Sequence, residues 1–195
     1  MAKDYDFRPD ADESVNLDKL LLTQRQRFNL LRWVLYGALY LAALLLQDAV
    51  LCRVDVRGGC TDLVPCVIFM ITALQGAEQG SIFALVSATF YYFTGSAPGL
   101  YVIPILTILA VLLAVLRQAC LRRGFFSILL CAILGMAIYE MTVFGIGLFL
   151  GYTYFQRIHS MAMTAALTLI AVPFLYPLVR SIGKIGGEAW KEKPK

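Results

Sequence analysis

LVPCVIFMITALQGAEQGSIFALVSATFYYF, residues 63–93, decides the fold. A bilayer's hydrocarbon core is roughly 30 Å thick, so a crossing helix needs about 20 mostly apolar residues. The two apolar runs in this stretch, 63–75 and 81–93, are each 13 residues long and fall short of that. Between them lies GAEQG (76–80), with two glycines and a glutamate. Read as one long helix, the stretch crosses once. Read as two short helices broken at the glycines, it turns back as a hairpin, and everything after it changes side. Pro65 suits the opening turn of a helix, where its missing N–H costs nothing, and Asp62 reads as that helix's N-cap.

The segments on either side are plainer. Segment one runs from about Leu30 to Leu51, LLRWVLYGALYLAALLLQDAVL, with Trp33 placed to anchor at an interface. After the breaker-rich turn TGSAPG (94–99) comes segment four, LYVIPILTILAVLLAVL (100–116). The basic loop RQACLRRG (117–124) leads to segment five, FFSILLCAILGMAIYEMTVFGIGLFLG (125–151), which is long enough to tilt. Segment six, MAMTAALTLIAVPFLYPLVR (161–180), carries Pro173 and Pro177, which membrane helices tolerate where neighbours re-satisfy the freed backbone groups.

Basic residues settle the parity. Arg25, Arg27 and Arg32 lie at the start of segment one, Arg117, Arg122 and Arg123 follow segment four, and Arg180, Lys184, Lys191, Lys193 and Lys195 follow segment six. Six helices put all three groups on one side, the cytoplasm by the positive-inside rule, and leave only Arg53, Arg57 and Arg157 opposite. A single helix over 63–93 would move Arg117–Arg123 outside. The expectation is therefore an all-α integral membrane protein of six transmembrane helices. It divides into a cytoplasmic N-terminal segment (1–29), a transmembrane domain (30–180) and a cytoplasmic C-terminal tail (181–195).

Composition agrees. Of 195 residues, 59% are hydrophobic and 15% charged, with net charge +4 and mean hydropathy +0.72; a soluble domain carries about 25% charged residues. The first 29 residues are charged and lack the apolar core of a cleaved signal. Six spans leave too little chain for a soluble catalytic domain. The single histidine, His159, and the absence of CxxC pairs argue against a zinc site, and no GxSxG or P-loop occurs. Neither an enzyme, nor a cofactor, nor a nucleic-acid partner is expected. Cys52 and Cys60 flank one outer loop and could pair in an oxidising space; two small buried thiols are the simpler reading.

Few residues could carry function. Glu140 lies mid-way along segment five, where an ionisable group is costly and marks a partner, ligand or proton site, or else a glutamate packed between helices. Gln47 and Asp48 sit near the outer end of segment one and read as organisers of the outer loop, with a binding role as the alternative. Gly147 and Gly151 have G-x-x-x-G spacing, with Gly145 and Gly135 nearby, which suits close helix packing within the chain or with a single-pass partner. Phe90, Tyr91, Tyr92 and Phe93 read as an interfacial aromatic belt.

Several of these stretches resemble the rod shape-determining protein MreD family: Gln47-Asp48, the loop into Thr61-Asp62-Leu63 with Pro65, the glycine punctuation at Gly76, Gly80, Gly95 and Gly99, the turn Gly95-Ser96-Ala97-Pro98-Gly99-Leu100, and Tyr139-Glu140. The aspartate often seen four residues before the turn glycine is Tyr91 here. The resemblance spans Gln47 to Gly151 and implies a noncatalytic component of the bacterial cell-elongation complex in the cytoplasmic membrane. Its implied partners are the single-pass protein MreC and, beyond it, MreB, RodA and a class B penicillin-binding protein. It also implies a fold similar to the substrate-binding S components of energy-coupling-factor vitamin transporters, and such an S component is the alternative reading. Glu140, Gly145, Gly147, Gly151, Gln47 and Asp48 are the expected partner or helix-packing positions.

Overall fold

A break at Gly76 turns the deciding stretch back on itself. In the computed structural model, which describes residues 24–53, 59–120 and 125–185, Gly76 has φ +94° and separates two helices. The six helices of the described residues are α1 (Gln24–Ala49), α2 (Leu63–Gln75), α3 (Ala77–Phe93), α4 (Val102–Cys120), α5 (Phe125–Phe149) and α6 (Ile158–Gly183). Short 3-10 turns at Leu51–Arg53 and Phe155–Arg157 follow α1 and precede α6. No strand forms among the described residues. Gly80 lies against Thr72, and Tyr91 reaches Asp62, so α2 and α3 run antiparallel about Gly76. The hairpin reading holds and the single-helix reading does not.

Several boundaries move. Segment one is already helical at Gln24, ahead of the start expected at about Leu30, and segment three begins at Ala77 rather than Ser81 and segment six at Ile158 rather than Met161. Segment five ends at Phe149, because the chain turns at Gly151 with φ +75°. Pro173 and Pro177 sit inside an unbroken α6, both on its exposed face.

At about 1.5 Å per residue, α2 is only about 20 Å long, against about 39 Å for α1 and α6. It is also the most enclosed element: every residue from Leu63 to Leu74 is buried. α2 packs against α1, α3, α4, α5 and α6. A helix apolar on all faces must be surrounded on all faces, and this one forms the axis of the bundle. Phe69 stacks edge-on with Tyr139 of α5 at 6.4 Å and, with Leu113 of α4, closes over Gly135, where a Cβ would lie 2.6–2.8 Å from them. Outward-facing positions stay apolar, as at Leu45, Ile82, Ile108, Met141 and Phe174, the pattern expected of faces solvated by lipid.

The bundle has two chemically distinct ends. At one end lie the start of α1, the Gly76 turn, the end of α4, the start of α5 and the end of α6. There Gln75 donates to the Tyr36 hydroxyl at 2.8 Å, Phe125 packs on Tyr176 at 4.6 Å, and Arg180 lies over the Tyr176 ring. Arg117 is buried and donates to the Ala73 carbonyl in the last turn of α2. A cation there satisfies an orphan carbonyl and complements the negative end of the helix dipole. Arg32, Arg117 and Arg180 thus share this end. The opposite end gathers Asp48, Asp62 and Glu140.

Candidate functional site

The carboxylate end is built around the buried N-terminus of α2. The first N–H groups of a helix have no partner inside it. Pro65 removes one of them, and the Val64 N–H donates to Gln47 Oε1 of α1 at 3.0 Å. Asp62 stands at the N-cap position but makes no side-chain cap bond, so the cap expected of Asp62 is supplied by Gln47 instead. Its backbone N–H donates to Thr168 Oγ1 of α6 at 3.0 Å, and Thr168 in turn donates to the Thr164 carbonyl at 2.8 Å. The Asp62 carboxylate accepts from the Tyr91 hydroxyl at 3.0 Å, and the Gln47 side-chain amide donates to that same hydroxyl at 3.4 Å. One short network therefore ties α1, α2, α3 and α6 together. Burial pushes the Asp62 carboxyl up to about 6, against the lowering effect of the Tyr91 and Gln47 hydrogen bonds.

Tyr91 corrects the aromatic-belt reading. Phe90 and Phe93 are exposed as a belt requires, but Tyr91 is 1% exposed and is the hub of the network. A detectable signal was present in the sequence: Gly80, Ala84, Ser87, Ala88 and Tyr91 recur at helical spacing and form the buried face of α3. Tyr40 completes that contact by donating to the Ser87 carbonyl at 2.7 Å. Asp48 points away from the core and accepts the Ser96 hydroxyl at 2.8 Å on either oxygen, holding the 94–99 turn to the end of α1.

Glu140 and Tyr139 bring α5 to the same end. Both are buried, and both line the cleft that Asp62 lines. The Tyr139 hydroxyl, beside that of Tyr91, has no hydrogen-bond partner of good geometry among the described residues. Two clefts meet at Glu140. The inner one, about 310 Å³, is lined by Gln47, Asp62, Tyr91, Tyr139 and Glu140 among others. The outer one, about 430 Å³, is walled by Tyr101, Phe144, Tyr152 and Met161, with Arg157 and Thr164 on its polar side. Such volumes fall in the range of small-molecule sites, about 300–1,000 Å³. Gly59 itself lies close against α6, where a Cβ would lie 3.0 Å from the Thr164 backbone nitrogen.

The glycines of segment five do not form one stripe. Gly147 is buried against Thr153 and lines the outer cleft, Gly151 lies beyond the helix, and Gly145 faces open space with nothing within 4 Å. Gly135 is the glycine that mediates close helix packing within the chain. Cys60 is a free, half-buried thiol; the Cys52 side chain lies outside the described residues.

The class defined by this fold is an all-α multi-pass membrane protein. Four of its helices are long and apolar enough to cross a membrane, over Arg27–Ala49, Val102–Ala119, Phe125–Phe149 and Phe155–Gly183, with Leu63–Gln75 a shorter apolar helix. Comparison with family models, with curated proteins and with solved structures finds no match.

Proposed function

We propose that this chain is a noncatalytic scaffold of the MreD type, organising peptidoglycan synthesis along the bacterial cell body with a single-pass, MreC-like partner. One observation carries the reading. The stretches resembling that family are far apart in sequence, yet Gln47-Asp48, Asp62-Leu63, the turn after Tyr91 and Tyr139-Glu140 converge on one end of the bundle. Residues that resemble a family separately and meet in space support a shared structural core better than any one stretch does. In this reading all six helices lie in the cytoplasmic membrane with both termini inside, and the short α2 is sheltered from lipid by its neighbours. The resemblance implies an S-component-like fold for such a bundle.

The partner's single helix would lie along α5. Its outward face carries Leu130, Ile133, Leu134, Ile138, Met141 and the open Gly145. Without a hydrophobic driving force between helices in lipid, association depends on close packing, which a bare glycine permits. Gly145→Leu should reduce co-purification with an MreC-like protein severalfold while membrane insertion is unchanged, whereas Gly147→Leu disturbs the chain's own loop and tests something else. Undiminished co-purification of Gly145→Leu removes α5 as the partner face.

The two clefts favour a second reading, the S component of a vitamin transporter. The exposed Ala38-x-x-x-Ala42 of α1 has the small-residue spacing of the docking helix in such proteins. The same co-purification separates the readings: an MreC-like protein for the scaffold, an ATP-hydrolysing pair for the transporter.

A further inference from the structure

The inner cleft holds two carboxylates, Asp62 and Glu140, and no basic side chain among its described lining residues. Both line the same cleft, from the N-terminus of α2 and from α5. Like charges buried together are costly unless a counter-charge is supplied. Arg157, the described cation of the outer cleft, is on its exposed rim. The second observation is independent of charge. Tyr139 is 1% exposed, lines the inner cleft, and leaves its hydroxyl without a partner of good geometry. Most buried hydroxyls in native proteins are well satisfied, and a ligand's polar group in this cleft would complete the bonding of a hydroxyl that has only the Tyr91 hydroxyl beside it.

The cleft's two halves differ in kind. Its inner part offers carboxylate oxygens and phenol hydroxyls, and its outer part offers the rings of Tyr101, Phe144 and Tyr152 with Val143 and Met161. Among the described residues no group of three or more His, Cys, Asp or Glu side chains is placed to hold a metal ion, and the linings suit a ligand that carries both a positive charge and an apolar body. We propose that the joined clefts bind a small organic cation, a primary amine with an aromatic or apolar body. Its ammonium sits between Asp62 and Glu140 within reach of Tyr139, and its body lies against Tyr101 and Phe144. The polarity orients it: acid at the floor draws the ammonium inward, and Arg157 at the rim repels the same charge. The site depends on neither reading of function above, since it needs only the geometry of the α2 N-terminus and α5.

The test uses the full-length chain purified in neutral detergent, with phenethylamine as probe and 2-phenylethanol and phenylacetate as neutral and anionic counterparts. A ligand bound only by the folded state raises the melting temperature; at ten times its dissociation constant the rise should be roughly 3–6 °C. The expected result is a saturable rise with phenethylamine, no comparable rise with the other two, and loss of the rise in Glu140→Gln and in Asp62→Asn. Tyr139→Phe should weaken binding by about fivefold or more while leaving the amine preference intact. Absence of a rise in the wild-type chain overturns the proposal, as does an equal response to the alcohol or a response that survives both carboxylate changes. Should Asp62→Asn fail to fold, Glu140→Gln decides alone. Its effect on co-purification with a partner protein, read in parallel, keeps the ligand site separate from the scaffold proposal.

Discussion

Asp62 shows how one residue can be read correctly as to place and wrongly as to role. An aspartate directly before an apolar run is the usual signature of an N-cap, and its position here is that of a cap. The cap bond instead comes from Gln47, seventeen residues before the Val64 N–H that it accepts, and no local pattern announces such a long-range partner. What the sequence did reveal was polarity out of place: Gln47 and Glu140 interrupt apolar runs, and both reach the site. Tyr91 was hidden because FYYF resembles a membrane-interface belt whichever ring faces inward. Asp62 also makes the first prediction. Its carboxyl rises from 3.8 to about 6 because burial disfavours the charged form. The folded state therefore holds the proton more tightly than the unfolded state. The stability contributed by protonated Asp62 is complete below pH 3.8 and declines as pH rises toward 6 and through it. The melting temperature of the wild-type chain should fall over that window relative to Asp62→Asn, measured side by side from pH 4 to 7. Parallel curves would show that Asp62 does not titrate there.

The hairpin sets the register of the whole bundle at the level of the element. Its two arms were legible as short runs and its break as glycine-rich. The burial of α2 on every side was not, because a uniformly apolar helix has no periodicity to show which face is covered. Gly80 holds the arms together: a Cβ there would lie 2.6 Å from Thr72 Cγ2 and 2.9 Å from its Cα. A backbone atom cannot step aside as a side chain can, so the arms must separate. Gly37 in α1 is the matched opposite, a helical glycine with nothing within 4 Å. Alanine is about 1 kcal/mol better than glycine in a helix where space is free. Overpacking typically costs about 1–3 kcal/mol. Gly37→Ala should thus hold or raise the melting temperature while Gly80→Ala lowers it. Equal behaviour of the two would mean that the close approach of α2 and α3 does not constrain the fold.

For the whole molecule, the hairpin and the distribution of charge make a single claim about direction. An even number of crossings returns the chain to its starting side, and the helix ends bearing Arg32, Arg117 and Arg180 meet at the end marked by the Gly76 turn. Arginine near helix ends favours the cytoplasmic side, so in the proposed orientation the carboxylate end, with its clefts, would face out. This is where an external ligand or an extracytoplasmic partner would arrive. Two exposed glutamines report the two ends, Gln118 near the Gly76 turn and Gln156 in the 3-10 turn before α6. With the native cysteines replaced, Gln156→Cys in intact cells should react with a membrane-impermeant maleimide, and Gln118→Cys only after permeabilisation. The reverse pattern inverts the orientation and places the clefts in the cytoplasm. Labelling of both from outside would mean that α5, the one long helix between them, does not separate them across the membrane, so the six-crossing topology would fail.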